Sequence, residues 1–306
     1  TILALSFRER GAVCGAFPHK DGPGGITVKS LRGKKLLLTG FTLFSMFFGA
    51  GNLIFPPFLG AQAGVSTWPF AMLGMALSAI GFPVLGVVSV ARSDGLDRLA
   101  GRVGPRFSFL FTLLIYLSIG PCLAIPRTAS TSFEMAVPPF MGPSPLGEHM
   151  ALLQFLYSLL FFGLAFLLAL RPEKLTARLG KILCPLLLAL IVAVFAACVL
   201  YPFSGYGPAS GAFSSSPFSQ GFIDGYQTMD TIAALNFGII IAVNIRAMGI
   251  TDDRAVTQGT IRAGWIAGGM LLLVYSMLAH IGALSGTLFP GSSNGTEVLT
   301  QLIHAL

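Results

Sequence analysis

The chain has 306 residues, 54% of them hydrophobic and only 10% charged, and its mean hydropathy is +0.79. An ordinary soluble domain carries about 25% charged residues, so too few ionic groups remain here to coat a water-facing surface, and a soluble enzyme, a secreted disulfide scaffold and a disordered regulator are all excluded. The formal net charge of +7 is not the footprint of a nucleic-acid binder, because the lysines and arginines fall in short segments between apolar runs.

Residues 1–33 are polar and glycine-rich and lack the apolar core of a signal peptide. They read as a disordered or non-native leader ahead of a transmembrane domain over 34–306. Seven apolar stretches follow, near 36–60, 66–91, 107–126, 151–170, 180–201, 222–245 and 263–286. Each is long enough, as a helix, to cross about 30 Å of hydrocarbon. Every Lys and Arg except Arg127 lies before the first stretch or in and around the loops after the second, fourth and sixth stretches. By the positive-inside rule these segments are cytoplasmic, the N-terminus with them, and the loops at 202–221 and 287–295 face outward. The cysteines, Cys14, Cys122, Cys184 and Cys198, form no CxxC pair and read as small hydrophobes. Residues 296–306 have the apolar spacing of a helix that is just beginning, which reads as a chain cut short at its C-terminus.

Two of the stretches are predicted to be discontinuous. In the first, Gly49, Ala50, Gly51 and Asn52 fall just past the midpoint, and Pro56 and Pro57 then remove two amide donors. In the sixth, Gln227, Thr228, Asp230 and Thr231 lie near the midpoint. A carboxylate at that depth costs several kcal/mol, so Asp230 is expected to face the bundle interior, capping a half-helix or facing a cation. Backbone freed inside a membrane is tolerated where it lines protein or a watery cavity, as in the broken helices that form ion and substrate sites. Breaks in the first and sixth members are what a five-plus-five inverted repeat predicts, with a first repeat over 36–201 and an incomplete second over 222–306.

The stretches that carry these breaks, LFSMFFGAGNLIFPP (Leu43 to Pro57) and GYQTMDTIAALNFGIII (Gly225 to Ile241), together with GPCLAIPRTASTSFE (Gly120 to Glu134), closely resemble signature segments of the bacterial branched-chain amino acid carriers. That family consists of cation symporters with the LeuT-type fold, and the resemblance runs from about Lys34 to the end. It implies an all-α, multi-pass protein of the bacterial cytoplasmic membrane that imports leucine, isoleucine and valine, with no cofactor besides a coupling ion. It also implies site residues. The turn Gly49, Ala50, Gly51, Asn52 would hold the substrate carboxylate on its amides, and the Asn52 side chain would hold a sodium ion with the carbonyls of Ser45, Phe47 and Phe48. Tyr116, in the third stretch, would reach the carboxylate, and Thr228 and Asp230 would contribute from the sixth. Phe44, Phe47, Phe48 and Phe237 are candidate walls of the side-chain pocket.

Asn and carbonyl oxygens suit a hard ion, and no basic residue lies inside the fifth stretch beyond Lys181 at its edge to replace it, so sodium is the expected coupling ion, with a proton carried by Asp230 as the competitor. A retinal protein is excluded because no Lys follows Lys181, and His280 is isolated. No HExxH or GxSxG motif of a membrane enzyme is present. A channel or passive exporter is the remaining rival, since broken helices also line pores.

Overall fold

The structure, a computed structural model, describes residues 30–141, 149–170, 184–200, 205–286, 292 and 294–305. Helices α1 (Gly33–Phe47) and α2 (Ala50–Ala63) form the first span, and α3 (67–92) the second. A short helix, α4 (Leu96–Gly101), leads to the third span, made of α5 (Pro105–Leu117), a π turn at Ser118–Cys122 and α6 (Ala124–Ala136). Then come α7 (Met150–Ala169), α8 (Cys184–Leu200), the paired α9 (Pro217–Tyr226) and α10 (Asp230–Ala247), the long α11 (Asp253–Ser285), and α12 (Gly295–Ala305). All seven apolar stretches are mainly helical over their described residues, the first and sixth with short interruptions. Among the described residues five segments, Ala50–Arg92, Pro105–Ala136, Met150–Ala169, Asp230–Ala247 and Asp253–Ser285, are long and apolar enough to cross a membrane. The protein is an all-helical, polytopic membrane protein.

The first of those segments cannot be one rod, because 43 residues would extend about 64 Å, roughly twice the hydrocarbon thickness. Gly64 breaks it. Its φ of +48° and ψ of −123° are poorly reached by L side chains, and a Cβ there would collide with the carbonyl of Gly207. Beyond it the chain turns back. Gly40 lies against Ile266 and Gly60 against Ala279, so α1 and α2 run parallel to α11, whereas Ile80 meets Gly268 and Val84 meets Gly264, so α3 runs antiparallel to it.

α11 is the central post, and α1, α2, α3 and α10 pack around it. Its buried face includes Gly259, Ala263, Gly264, Ala267, Gly268, Ala279, Gly282 and Ala283. These small residues bring backbones together, as membrane helices do where hydrophobicity alone cannot drive association. α10 closes on α3 in the same way, with Gly238 against Val87 and Val90. Spans three to five stand beside this bundle. α6 meets α7 through Phe133 and Tyr157, and α8 meets α11 through Phe195 and His280. The outer faces of α5 and α7, with exposed Phe109, Leu110, Phe155 and Phe166, are apolar and suit lipid.

Two spans outrun their apolar stretches. The third continues past residue 126 as far as Ala136, through a kink where Gly120 (φ −80°, ψ −115°) leaves the helical region. The seventh starts at Asp253, well before residue 263, because the Asp252 side chain caps it by accepting from the Ala255 amide at 2.8 Å. Leu31 is buried, against Gly259 and Ile245 among others; residues 1–29 lie outside the described residues. At the end of the chain the expected helix is present as α12, with Val298, Leu299 and Leu302 buried.

The close contacts predict which glycines tolerate a methyl group. A Cβ on Gly282 would run into the Pro57 carbonyl, whereas one on Gly269 meets nothing within 4 Å. Gly282→Ala is expected to destabilise the protein by about 1–3 kcal/mol, and Gly269→Ala to be neutral or slightly stabilising. Thermal unfolding in detergent checks both, and equal effects would contradict this packing.

Candidate functional site

The two helix breaks meet. In the first span the interruption is short: Phe48 (φ −68°, ψ 104°) and Gly49 (φ −135°, ψ −167°) are extended, and α2 starts at Ala50. The predicted unwinding over residues 49–52 is thus confined to residues 48–49, and Ala50, Gly51 and Asn52 form the first turn of α2. The Phe48 amide still bonds the Phe44 carbonyl at 2.8 Å. The Gly49 amide, which would have continued that ladder to Ser45, turns instead to the Asn52 side-chain oxygen at 3.0 Å. The carbonyls of Ser45, Phe47 and Phe48 therefore end α1 without helical donors, and the amides of Ala50 and Gly51 start α2 without helical acceptors. Pro56 and Pro57 lie inside α2 and do not break it, although they free the Asn52 and Leu53 carbonyls.

In the sixth span the break is at Gln227 to Met229. Met229 adopts the left-handed conformation (φ +69°), and α10 begins with Asp230. The Thr228 hydroxyl donates back to the Gly225 carbonyl at 2.8 Å, which rounds off the end of α9.

Asn52 joins the two breaks. Its Nδ2 donates to Asp230 Oδ2 at 2.5 Å and to Tyr275 Oη at 2.6 Å, and Tyr275 in turn donates to the same Asp230 oxygen at 3.2 Å. All three side chains are buried. A buried carboxylate is otherwise costly, and here an amide and a phenol from two other spans hold it. Asp230 does not cap α10; its carboxylate bonds across to spans one and seven.

Arg127 comes to the same place from α6. Its Nη1 donates to the Gln227 carbonyl at 2.8 Å and its Nη2 to the Thr228 carbonyl at 3.3 Å, and the guanidinium lies 5.7 Å from the Phe55 ring centroid. These carbonyls are the negative end of α9, a favourable seat for a cation. The side chain makes no ion pair among the described residues, and two bonds leave several of its donors uncommitted. Gly51 makes the approach possible, since a Cβ there would lie 2.6 Å from Arg127 Nη2 and 3.0 Å from Thr228 Cα.

The remaining candidates divide. Phe47 meets Phe237 edge-on at 5.5 Å, and Phe44 stacks on Phe48 at 5.4 Å, so all four aromatic candidates gather beside the first break. Ser45 donates its hydroxyl to the Thr42 carbonyl at 2.9 Å. Tyr116 is 52% exposed and outside the network; the residue of the third span that reaches the breaks is Arg127, because the helix continues past its kink. Sequence reasoning missed Arg127 and Tyr275 as site residues. Arg127 had a visible signal, as the one basic residue outside the pattern of basic segments, and Tyr275 had none beyond a hydroxyl in an apolar span.

Comparison with known proteins gives a consistent result. Residues 32–306 match the family described as branched-chain amino acid transport protein. The branched-chain amino acid transport system 2 carrier protein of Pseudomonas aeruginosa is 42% identical over 277 residues, covering 90% of this chain and 61% of that protein. The branched-chain amino acid permease BraB of Bacillus subtilis is 38% identical over 279 residues and the permease BrnQ of Escherichia coli 39% over 275, each with the same coverage. The chain thus spans 61% of the length of these relatives. No solved structure matches it.

The contact between Gly51 and Arg127 can be measured. A double-mutant cycle of Gly51→Ala and Arg127→Ala is expected to show a coupling of about 0.5–3 kcal/mol in unfolding free energy, with Gly51→Ala better tolerated once the guanidinium is gone. Additive effects would mean that the third span does not reach the first break.

Proposed function

The chain belongs to the branched-chain amino acid transport protein family, and on that premise we propose that it works as a secondary active symporter that imports leucine, isoleucine and valine across the bacterial cytoplasmic membrane, driven by sodium. The observation that carries this reading is the meeting of two interrupted helices, joined by the 2.5 Å bond from Asn52 to Asp230. Interrupted spans that face each other deep in a bundle place orphan amides, orphan carbonyls and a carboxylate in one small volume, which is what a charged solute needs to cross hydrocarbon.

A zwitterionic amino acid needs partners for both charges. In this proposal the amides at the start of α2 take the carboxylate, at the positive end of that half-helix. Arg127 stands beside them with donors to spare. The carbonyls of Ser45, Phe47 and Phe48, together with the Asn52 side chain, offer oxygens to a sodium ion. Asn52 Oδ1 keeps one lone pair after accepting from Gly49. The aliphatic side chain then needs only an apolar wall, which the Phe47 and Phe237 pair begins. One methylene is worth about 1–3 kcal/mol in such a pocket, so three branched aliphatic side chains would share the carrier.

The repeat proposed for the family's fold places the first five spans in one half and the sixth and seventh in the other. The arrangement of small residues around α11 and the position of the two breaks support it. The basic loops support a cytoplasmic N-terminus. Moving one sodium inward gains about 2.3 kcal/mol per 100 mV, enough to accumulate the amino acid more than tenfold.

Uptake of labelled leucine into transport-deficient bacterial cells tests the proposal. Accumulation above the external concentration in sodium, its loss when choline replaces sodium, and competition by excess valine and isoleucine are the expected results. Equilibration without accumulation would turn the reading to a channel, and accumulation indifferent to sodium would remove the coupling ion.

A further inference from the structure

One buried acid takes no part in the paired breaks. Asp224, on α9, is 3% exposed. Its Oδ1 accepts from Gln220 Nε2 at 2.9 Å, whereas its Oδ2 is buried without a hydrogen-bond partner. The elements packed closely against α9 are α2, the turn at Gly211–Ser214 and the first three segments of α3, Thr67–Ala71, Met72–Ala76 and Leu77–Gly81. None of them contains Asp, Glu, Lys, Arg or His. On α9 itself the other ionisable residue is Tyr226, which is 48% exposed. Across the break, Arg127 bonds the Gln227 and Thr228 carbonyls, and Asp230 is held by Asn52 and Tyr275.

A carboxylate in this position would lose its water and gain no counter-charge, whereas the neutral acid leaves at most one hydrogen bond unmade. A metal cation answers the need poorly, because a hard ion takes several oxygen ligands, no second acidic side chain stands on the elements packed against α9, and the neighbouring polar side chains are already engaged in bonds of their own. The hydroxyls of Thr67 and Ser78 bond carbonyls of their own turns, Asn52 is tied to Asp230, and Gln62 accepts from Ser210. A proton needs one oxygen.

The burial of Asp224 depends on the contact between α9 and the second span. α9 lies on the second span through glycines: Gly221 against the Ala71 backbone, Gly225 against Met75 and Ser78, and Gly74 against the Phe218 carbonyl. It is joined to α10 by the non-helical residues at 227–229, so it can tilt without unwinding α10. We propose that Asp224 is a proton-binding site linked to this contact: α9 packs on the second span when the carboxylate has taken up one proton from water, and releases that proton when it lifts away. Linkage fixes the sign. The packed arrangement binds the extra proton, so falling pH favours it and rising pH favours the lifted arrangement. The inference deepens the carrier reading, on which only its transport arm rests, by adding external pH as a regulator of the sixth span.

Infrared difference spectroscopy of the full chain in lipid, without cargo, reads the carboxyl directly. A carbonyl stretch of a protonated acid is expected at neutral pH in the wild type and is expected to vanish in Asp224→Asn. Leucine uptake is the second arm. With the packed arrangement as the one that takes up cargo, the wild-type rate is expected to fall as external pH rises, approaching about tenfold per pH unit, the limit for one proton, whereas Asp224→Asn flattens the profile to within about twofold. Asp224→Leu, also neutral, serves as the second variant if the Asn amide disturbs the packing, and it should behave in the same way. An acid band that neither variant weakens, or a pH profile the variants leave unchanged, overturns the proposal. If the wild type takes up no leucine, the carrier reading fails, and the infrared arm still decides on Asp224.

Discussion

Backbone that leaves the helix inside hydrocarbon has to find its hydrogen bonds within the protein, and in this chain one side chain takes up the amide freed at the first break and ties that break to the second. Asn52 accepts the amide that Gly49 can no longer give to its own helix, and with its other end reaches Asp230 and Tyr275. The first break can therefore be as short as two residues. The second is closed by other means: a left-handed Met229, a threonine hydroxyl turned back on its own helix, and Arg127 on the two carbonyls at the end of α9. The polar groups of the bundle gather here because a break leaves donors and acceptors that a neighbouring break can satisfy, and an isolated one would leave them facing lipid. The cluster is at once the cheapest place to interrupt two helices and the place best equipped to receive a small charged solute.

The alignment of the breaks is set by contacts that involve no polar side chain. Gly60 against Ala279 and Gly282 against Pro57 hold α2 along α11 at backbone distance. One turn before Ala279, on the same face of α11, is Tyr275, and its hydroxyl reaches Asn52. A larger residue at either glycine would push α2 outward, and the Tyr275 hydroxyl would no longer span the gap. At the end of the bundle where the second and sixth spans finish, Arg246 bridges Asp94 at 2.8 Å and Asp253 at 2.9 Å, tying the turn after α3 to the end of α10 and the start of α11. These groups are exposed, so the bridge adds little stability, but it marks spans two, six and seven as neighbours at that end as well as at the centre.

Much of this was legible in the sequence, because hydropathy and the positions of Gly, Pro and polar residues along a span are one-dimensional properties. The seven stretches, the break at Gly49 and one within the polar run from Gln227 to Thr231 could be read that way. What composition cannot supply is azimuth. Tyr116 and Arg127 belong to the same span, yet a kink at Gly120 separates them, and the arginine turns inward while the tyrosine faces out. Tyr275 was hidden for the same reason, since nothing in an apolar helix shows which residue looks across at Asn52. Helix ends also escaped where polar sequence continues a helix: α6 runs on to Ala136, and α11 starts at a capped Asp253. The expected unwinding over residues 49–52 was too long, because the sequence could not show that the Asn52 side chain takes over the Gly49 amide.

Arg127 shows how the two parts of the molecule are joined. The bundle around α11 is held by small residues, whereas spans three to five turn broad apolar faces outward and touch it at fewer places. A cation placed at the break by the third span sits at the negative end of α9 and beside the positive end of α2, so one half-helix attracts it and the other opposes it. An anion bound at the first turn of α2 would reverse that opposition, drawing Arg127 and the start of α2 together and loosening the hold of Arg127 on the α9 carbonyls. The same guanidinium would then report on the site from the third span and act on the sixth, which gives an arginine a reason to be where apolar sequence would have been cheaper.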